Sequence, residues 1–161
     1  MVVFPLSFVL GPRCTIRKIL LSKTNTIFMT SSVVYQGNLR TQCLHLASGN
    51  TIITDAPVDN QGKGEAFSPT DTVATALASC MLTIMGIKAR DLGVALEGTK
   101  AEVTKTMGTQ PRRIVGIKVR ILFPHALDAK TQQLLERAGN TCPVHYSLHP
   151  DIEKDIEFVW P

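Results

Sequence analysis

Nothing in this sequence brings two cysteines close together along the chain. The four present, Cys14, Cys43, Cys80 and Cys142, are widely spaced. No CxxC, alone or with a spaced histidine pair, offers the ligand set of a structural zinc site, and no metal or cofactor is expected. Four cysteines in 161 residues also fall short of a disulfide-built scaffold, so a reducing, cytoplasmic location is expected. Aromatic residues are scarce, at 6%, and none is interleaved with a basic stripe. That removes the usual footprint of a nucleic-acid partner. The net charge of +4 does not restore it, because Arg13, Arg17, Lys18 and Lys23 all lie in residues 1–28, a stretch without a single acid. The thirteen bases that remain face thirteen acids. A membrane span is not expected either. The most apolar window, Val73 to Ile87, is short and carries Thr75, Ser79 and Thr83. Internal repeats and low-complexity tracts are missing too.

What the chain does have is an apolar fraction of 44% against 19% charged residues, the balance of a soluble globular domain. Its length suits one domain with a real core. Residues 1–28 read differently from the rest. They are basic and irregular, with Pro5, Gly11 and Pro12 interrupting apolar runs and no positive charge before the first of them. They are expected to lie outside the fold, as a leader or as the product of a start set ahead of Met29. The domain is then residues 29–161.

Within it, Val33–Gln36, Leu39–Leu46 and Thr51–Thr54 are short extended runs separated by Gly37-Asn38 and Ser48-Gly49-Asn50, the chemistry of tight turns. They predict a three-stranded antiparallel meander in which Arg40 and Gln42 share a face with Leu44 and Leu46. Asp55–Phe67, with Pro57, Gly62 and Gly64, is a predicted loop. Ser68-Pro69-Thr70-Asp71 is a strong helix start, and the helix is expected to reach about Ala89 and stop at Gly93. Val73, Leu77, Cys80, Met81 and Ile84 form its apolar stripe, and small or apolar residues cover most of the rest. A helix apolar nearly all round has to be covered on all sides, which in a domain this small calls for a partner subunit.

Thr99–Met107 and the alternation of Val115, Ile117, Val119, Ile121 and Phe123 predict a hairpin through Gly108–Pro111. A second helix follows a cap at Asp128 and is expected to end at Gly139. Cys142-Pro143 opens a short helical turn, and Ile152–Trp160 reads as the last strand. The expected order is βββ-α-ββ-α-β, an α+β domain.

Two residues stand out chemically. Cys80 lies mid-helix, in what reads as one of the most buried positions, where a cysteine is either a small core hydrophobe or a thiolate in need of a cation. Arg40, on the core-facing side of the meander, is the best cation available. Cys142 precedes a proline at the cap of a helical turn, where backbone N–H groups favour the thiolate. His145 sits three residues further on. His45, His125 and His149 show no ligand spacing and read as surface or turn residues.

The run Ser68-Pro69-Thr70-Asp71 through Ala76-Leu77-Ala78-Ser79-Cys80-Met81, followed by Cys142-Pro143-Val144-His145, resembles the OsmC/Ohr family of small thiol-dependent proteins of oxidative-stress defence. The resemblance covers roughly residues 30–161. It implies an OsmC-like intertwined homodimer, with antiparallel sheets wrapped around central apolar helices. It also implies that Cys80 is the peroxidatic cysteine and Cys142 the resolving one. An organic hydroperoxide would be the substrate and an external dithiol, of lipoyl type for example, the reductant. In the family an arginine from the N-terminal sheet stabilises the thiolate, a role for which Arg40 is the match. The hydroperoxide reductases place a glutamate ten residues before the first cysteine; here Thr70 stands there, leaving Glu65 or Asp71 to take its place. Helical spacing turns Asp71 away from Cys80. Two other classes compete with this reading. One is a hot-dog-type thioesterase using Asp71, which gives the second cysteine no role. The other is a non-catalytic dimer binding a small apolar ligand, with both cysteines as packing.

Overall fold

The structure, a computed structural model, describes residues 28–161, so the expectation for residues 1–28 lies almost wholly outside it. The chain forms β1 (Ser31–Gly37), β2 (Arg40–His45), β3 (Thr51–Asp55), a 3-10 turn at Val58–Asn60, α1 (Pro69–Leu92), β4 (Lys100–Thr109), β5 (Arg112–Leu122), α2 (Ala129–Asn140), α3 (Pro143–Ser147) and β6 (Glu153–Val159). The order is the expected one, with the turn at Cys142-Pro143 resolved as α3.

Two three-stranded sheets result, β1-β2-β3 and β4-β5-β6. In the first sheet every pairing is antiparallel. In the second, β6 runs parallel to β5, a departure from fully antiparallel sheets. Its cause is the connection. The α2–α3 segment crosses the sheet between the two strands, and a crossover returns the chain in the direction in which it left.

Helix α1 is the central element. Ser68 accepts from the Asp71 N–H at 3.1 Å while the Ser68 N–H donates to Asp71 Oδ2 at 2.8 Å, a reciprocal cap that satisfies two otherwise unpaired donors. Gly93, at φ +69°, closes the other end by donating to Ala89 and Arg90 carbonyls. The buried stripe is Ala74, Leu77, Ala78, Met81, Met85 and Ala89. It is rotated from the expected one, so that Val73 is exposed and Cys80 and Ile84 lie on its flank, partly buried. At 24 residues the helix is also longer than the apolar window Val73 to Ile87, and by length and composition alone it could cross a membrane. Its packing assigns it to the core: Ile117, Val119 and Ile121 of β5 and Leu135 of α2 join the same buried cluster.

The alternation in β5 slips by one residue. Ile114, rather than Val115, is buried, because Thr106 pairs with Gly116 and Met107 with Ile114, leaving Val115 bulged out of the ladder. The bare backbone of Gly108 leaves room for it, since a Cβ there would lie 2.7 Å from Val115 Cγ1.

Helix α2 runs through Gly139 and is capped at Thr141, against the expectation that Gly139 ends it. The glycine serves packing instead. A Cβ at Gly139 would sit 3.0 Å from Met85 Sδ and 3.5 Å from Met81 Cε, so α1 and α2 close onto each other at this point. Gly139→Val should therefore cost about 1–3 kcal/mol in urea unfolding through overpacking. Met81→Ala, which opens a cavity on the same contact, should cost about 2–5 kcal/mol.

Candidate functional site

Cys142 is fully buried at the N-terminal cap of α3, and its Sγ accepts the His145 N–H at 3.3 Å. It follows α2 by one residue, so the close α1–α2 contact at Gly139 carries it to the flank of α1 that bears Cys80. The Cys80 thiol is near enough to act on that of Cys142. Both are free thiols. The structure thus brings together two cysteines separated by most of the second half of the chain.

Cys80 is less buried than its mid-helix position predicts. It is partly exposed, packed on the edge of the core cluster, whereas Cys142 is the enclosed one. Burial pushes the Cys142 thiol up, and this outweighs the His145 N–H that works the other way. The expected thiolate-favouring cap is present, but net it does not lower the pKa. The Cys80 sulfur nearby disfavours a second negative charge further. Burial, then the charge of Lys154, also depresses the pKa of His145, which keeps its ring neutral near pH 7. A neutral thiol in an apolar enclosure is protected from adventitious oxidation until a partner sulfur offers it an electrophile.

Arg40 opens β2 and lies directly across from Asp55 in the β2–β3 ladder. Its Nη2 donates to Asp55 Oδ2 at 2.9 Å and to Glu65 Oε2 at 2.6 Å. Asp55 Oδ2 also accepts the Glu65 N–H at 3.1 Å, which ties the predicted loop back onto the sheet. Arg40, followed by that N–H, holds the Asp55 carboxyl below its usual range. No direct contact between Arg40 and Cys80 exists within the chain among the described residues.

Thr70 and Asp71 face a different cation. Lys105, on β4, donates to Thr70 Oγ1 at 2.8 Å, to Asp71 Oδ1 at 2.7 Å and to Ser68 Oγ at 3.3 Å. Burial works to raise the pKa of Asp71, but the bonds from Lys105 and Ser68 together hold it low. Asp71 is therefore committed to the helix cap and to Lys105, and is not free for Arg40. Of the two acids considered as a substitute for the missing glutamate, Glu65 is the one bonded to Arg40. Asp55 was missed, and the signal for it was the turn. A hairpin centred between Ala47 and Ser48 puts residues 40 and 55 opposite each other.

The first sheet stands apart from this core. Val33 and Ile52 on one face are 61% and 52% exposed, and Val34 and Ile53 on the other are 59% and 47%. An open groove of about 460 Å³ between α1 and β4 is lined by Phe67, Ala74 and Val103, with Glu65, Asp71 and Lys105 at its polar end. The outward flank of α1, with Ala76, Ser79, Thr83 and Gly86, is open as well.

A family model for OsmC-like proteins matches residues 62–157, which include both Cys80 and Cys142 and begin after Arg40. Among solved structures, the chain is similar to a protein from Psychrobacter arcticus ascribed to osmotic stress induction and detoxification response. The identity is 57%, the TM-score 0.80, and the match covers 82% of this chain and 96% of that one. An organic hydroperoxide resistance protein OsmC from Legionella pneumophila shares the fold at 15% identity and a TM-score of 0.62, over 82% of this chain and 98% of its own. An OsmC-like protein from Vibrio cholerae does so at 13% identity and 0.66, over 80% and 97%. No curated protein matches the chain by sequence.

The Arg40–Asp55 pair makes stability depend on pH with a definite sign. A carboxyl whose folded pKa is depressed stabilises the fold above its unfolded pKa, about 3.9, and the contribution is lost as pH falls through the lower folded value. Arg40→Ala should therefore destabilise most above about pH 5, and the gap to the wild type should close toward pH 2–3 in urea titrations. A gap independent of pH would show that Asp55 does not depend on Arg40.

Proposed function

The chain belongs to the OsmC-like protein family, and from that premise we propose that it is a thiol-dependent redox protein that reduces organic hydroperoxides through Cys80 and Cys142. The observation that carries the reading is the pairing of a partly exposed thiol on α1 with an enclosed one at the head of α3, delivered by separate elements. Core packing alone needs no such pair. The osmotic-stress and hydroperoxide-resistance relatives point to the same peroxide-related chemistry.

In this reading the Cys80 thiolate attacks the outer peroxide oxygen. The O–O bond breaks, the alcohol leaves with a proton, and Cys80 becomes a sulfenic acid. Cys142 then attacks that sulfur and expels water, forming a disulfide. An external dithiol, with lipoyl compounds as the first to test, reduces the bridge by thiol–disulfide exchange and is itself oxidised. The raised pKa of Cys142 suits the second step. It keeps this thiol out of competition for peroxide and leaves it a strong nucleophile once deprotonated. Arg40 is the cation assigned to the Cys80 thiolate, reaching it across the subunit interface of a homodimer.

That dimer is part of the proposal. The open flank of α1 and the two exposed apolar faces of the first sheet are surfaces that a second copy would cover. The functional domain is taken as residues 29–161 and its setting as the reducing cytoplasm.

With a dithiol as reductant, hydroperoxide consumption should exceed that with monothiols. Cys80→Ser should lower it to background, a loss of about a thousandfold or more. Cys142→Ser should react once and stall as a sulfenic acid that a dimedone-type probe captures. Equal turnover in wild type and Cys80→Ser would end the assignment. Light scattering should give twice the 17.6 kDa chain mass at micromolar concentration; a monomer would contradict the dimer.

A further inference from the structure

Two carboxylates converge on one nitrogen of Arg40. Asp55 Oδ2 and Glu65 Oε2 both accept from Nη2, and nothing among the described residues engages Nε or Nη1. One guanidinium thus faces two carboxylates, and the only other positive charge acting on Asp55 among the described residues is that of Lys63, the weakest of its influences. A guanidinium in that state is a poor host for a further anion unless one carboxylate gives way.

The two acids are not equivalent. The Asp55 side chain is wholly buried, on a strand, in register with Arg40. Its Oδ2 also holds the Glu65 N–H, and its Oδ1 is buried without a partner. If the guanidinium moved away, a buried carboxylate would be left uncompensated, which is strongly unfavourable. Glu65 sits in the loop with 58% of its side chain exposed, where breaking an ion pair costs little. The backbone mount of the arginine is rigid as well. Leu39, immediately before it, is held at φ +62° by donating its N–H to Tyr35 Oη at 3.2 Å and accepting the Ala56 N–H at 3.1 Å. A left-handed leucine persists only where its surroundings fix it.

We propose that Asp55 is the residue that positions Arg40 for an anionic partner, and that Glu65 is a displaceable carboxylate competing with that partner for the guanidinium. The assignment rests on the reading of Arg40 as the cation of the Cys80 thiolate. It gives the two acids opposite effects. Asp55 fixes the arginine with its free Nε and Nη1 edge presented, and the thiolate, or the developing alkoxide of the peroxide, takes up the charge that Glu65 partly cancels. Thr70 has no share in this, being engaged by Lys105.

The test reads the alkylation rate of Cys80 by iodoacetamide at pH 7 in the full-length protein, resolved from the other thiols by peptide mass spectrometry. Glu65→Gln should speed it about two- to fivefold, the scale of an exposed ion pair. Glu65→Asp, which keeps the charge, should stay near the wild-type rate. Arg40→Ala should slow the reaction, and in that background Glu65→Gln should change nothing. Asp55→Asn should slow it too; if that variant does not fold, the Arg40 and Glu65 variants carry the test by themselves. A slower reaction in Glu65→Gln, an unchanged one, or an effect that survives Arg40→Ala overturns the proposal. Hydroperoxide turnover is measured alongside. If the alkylation pattern holds while the wild type consumes no hydroperoxide, the positioning roles stand and the peroxidase reading falls.

Discussion

The contact between α1 and α2 at Gly139 governs the placement of the thiols. Without a side chain at that position, the backbone of α2 rests on Met81 and Met85, where even a single Cβ would crowd the Met85 sulfur at 3.0 Å. Cys142 emerges three residues later and is fully buried in the same cluster as Leu135 and Met81. Cys80 is the neighbour of Met81 on α1. The packing that buries the methionines therefore sets which sulfur meets which, and it leaves Cys80 the more accessible of the two. Burial then sets their chemistry, since the enclosed thiol is held neutral by desolvation more strongly than its helix cap can favour the charge.

Charge is organised separately from this apolar contact. Two lysine- or arginine-centred clusters flank the N-terminal end of α1, and they divide the acids between them. Lys105 takes Asp71 and locks the helix cap to β4, while Arg40 takes Asp55 and Glu65 and ties the loop to the first sheet. Thr70 falls to the Lys105 cluster. The acid that faces the arginine comes from the opposite strand and from the loop, instead of from the helix. The Lys105 cluster reinforces a contact between α1 and β4 that the core also makes, while the Arg40 cluster ties the loop to a sheet whose apolar side chains on both faces are still open.

Much of this was legible in the sequence where one short-range rule decided it. The Ser68 cap, the Gly93 stop, the two tight turns of the first sheet and the Asp128 cap each follow from the chemistry of a single residue. The family was legible by motif, and the structure sets the two cysteines of that motif near each other. The errors come from long-range packing. Gly139 looks like a helix terminator and is a packing contact. The Val115 alternation is broken by a bulge that only the pairing with β4 creates. The buried stripe of α1 could not be fixed from a helix apolar on every side, and that uncertainty put Cys80 too deep. Asp55 lay at the boundary between strand and loop, and only register reveals its pairing with Arg40.

The central question for this protein is whether the two sulfurs act as a pair. The most direct measurement is mass spectrometry of the reduced protein after one equivalent of organic hydroperoxide, with free thiols alkylated and peptides mapped. Two thiols should be lost and a single bridge should join Cys80 to Cys142, with Cys43 still free. A protein that keeps every thiol, or bridges through Cys43 instead, would contradict that pairing.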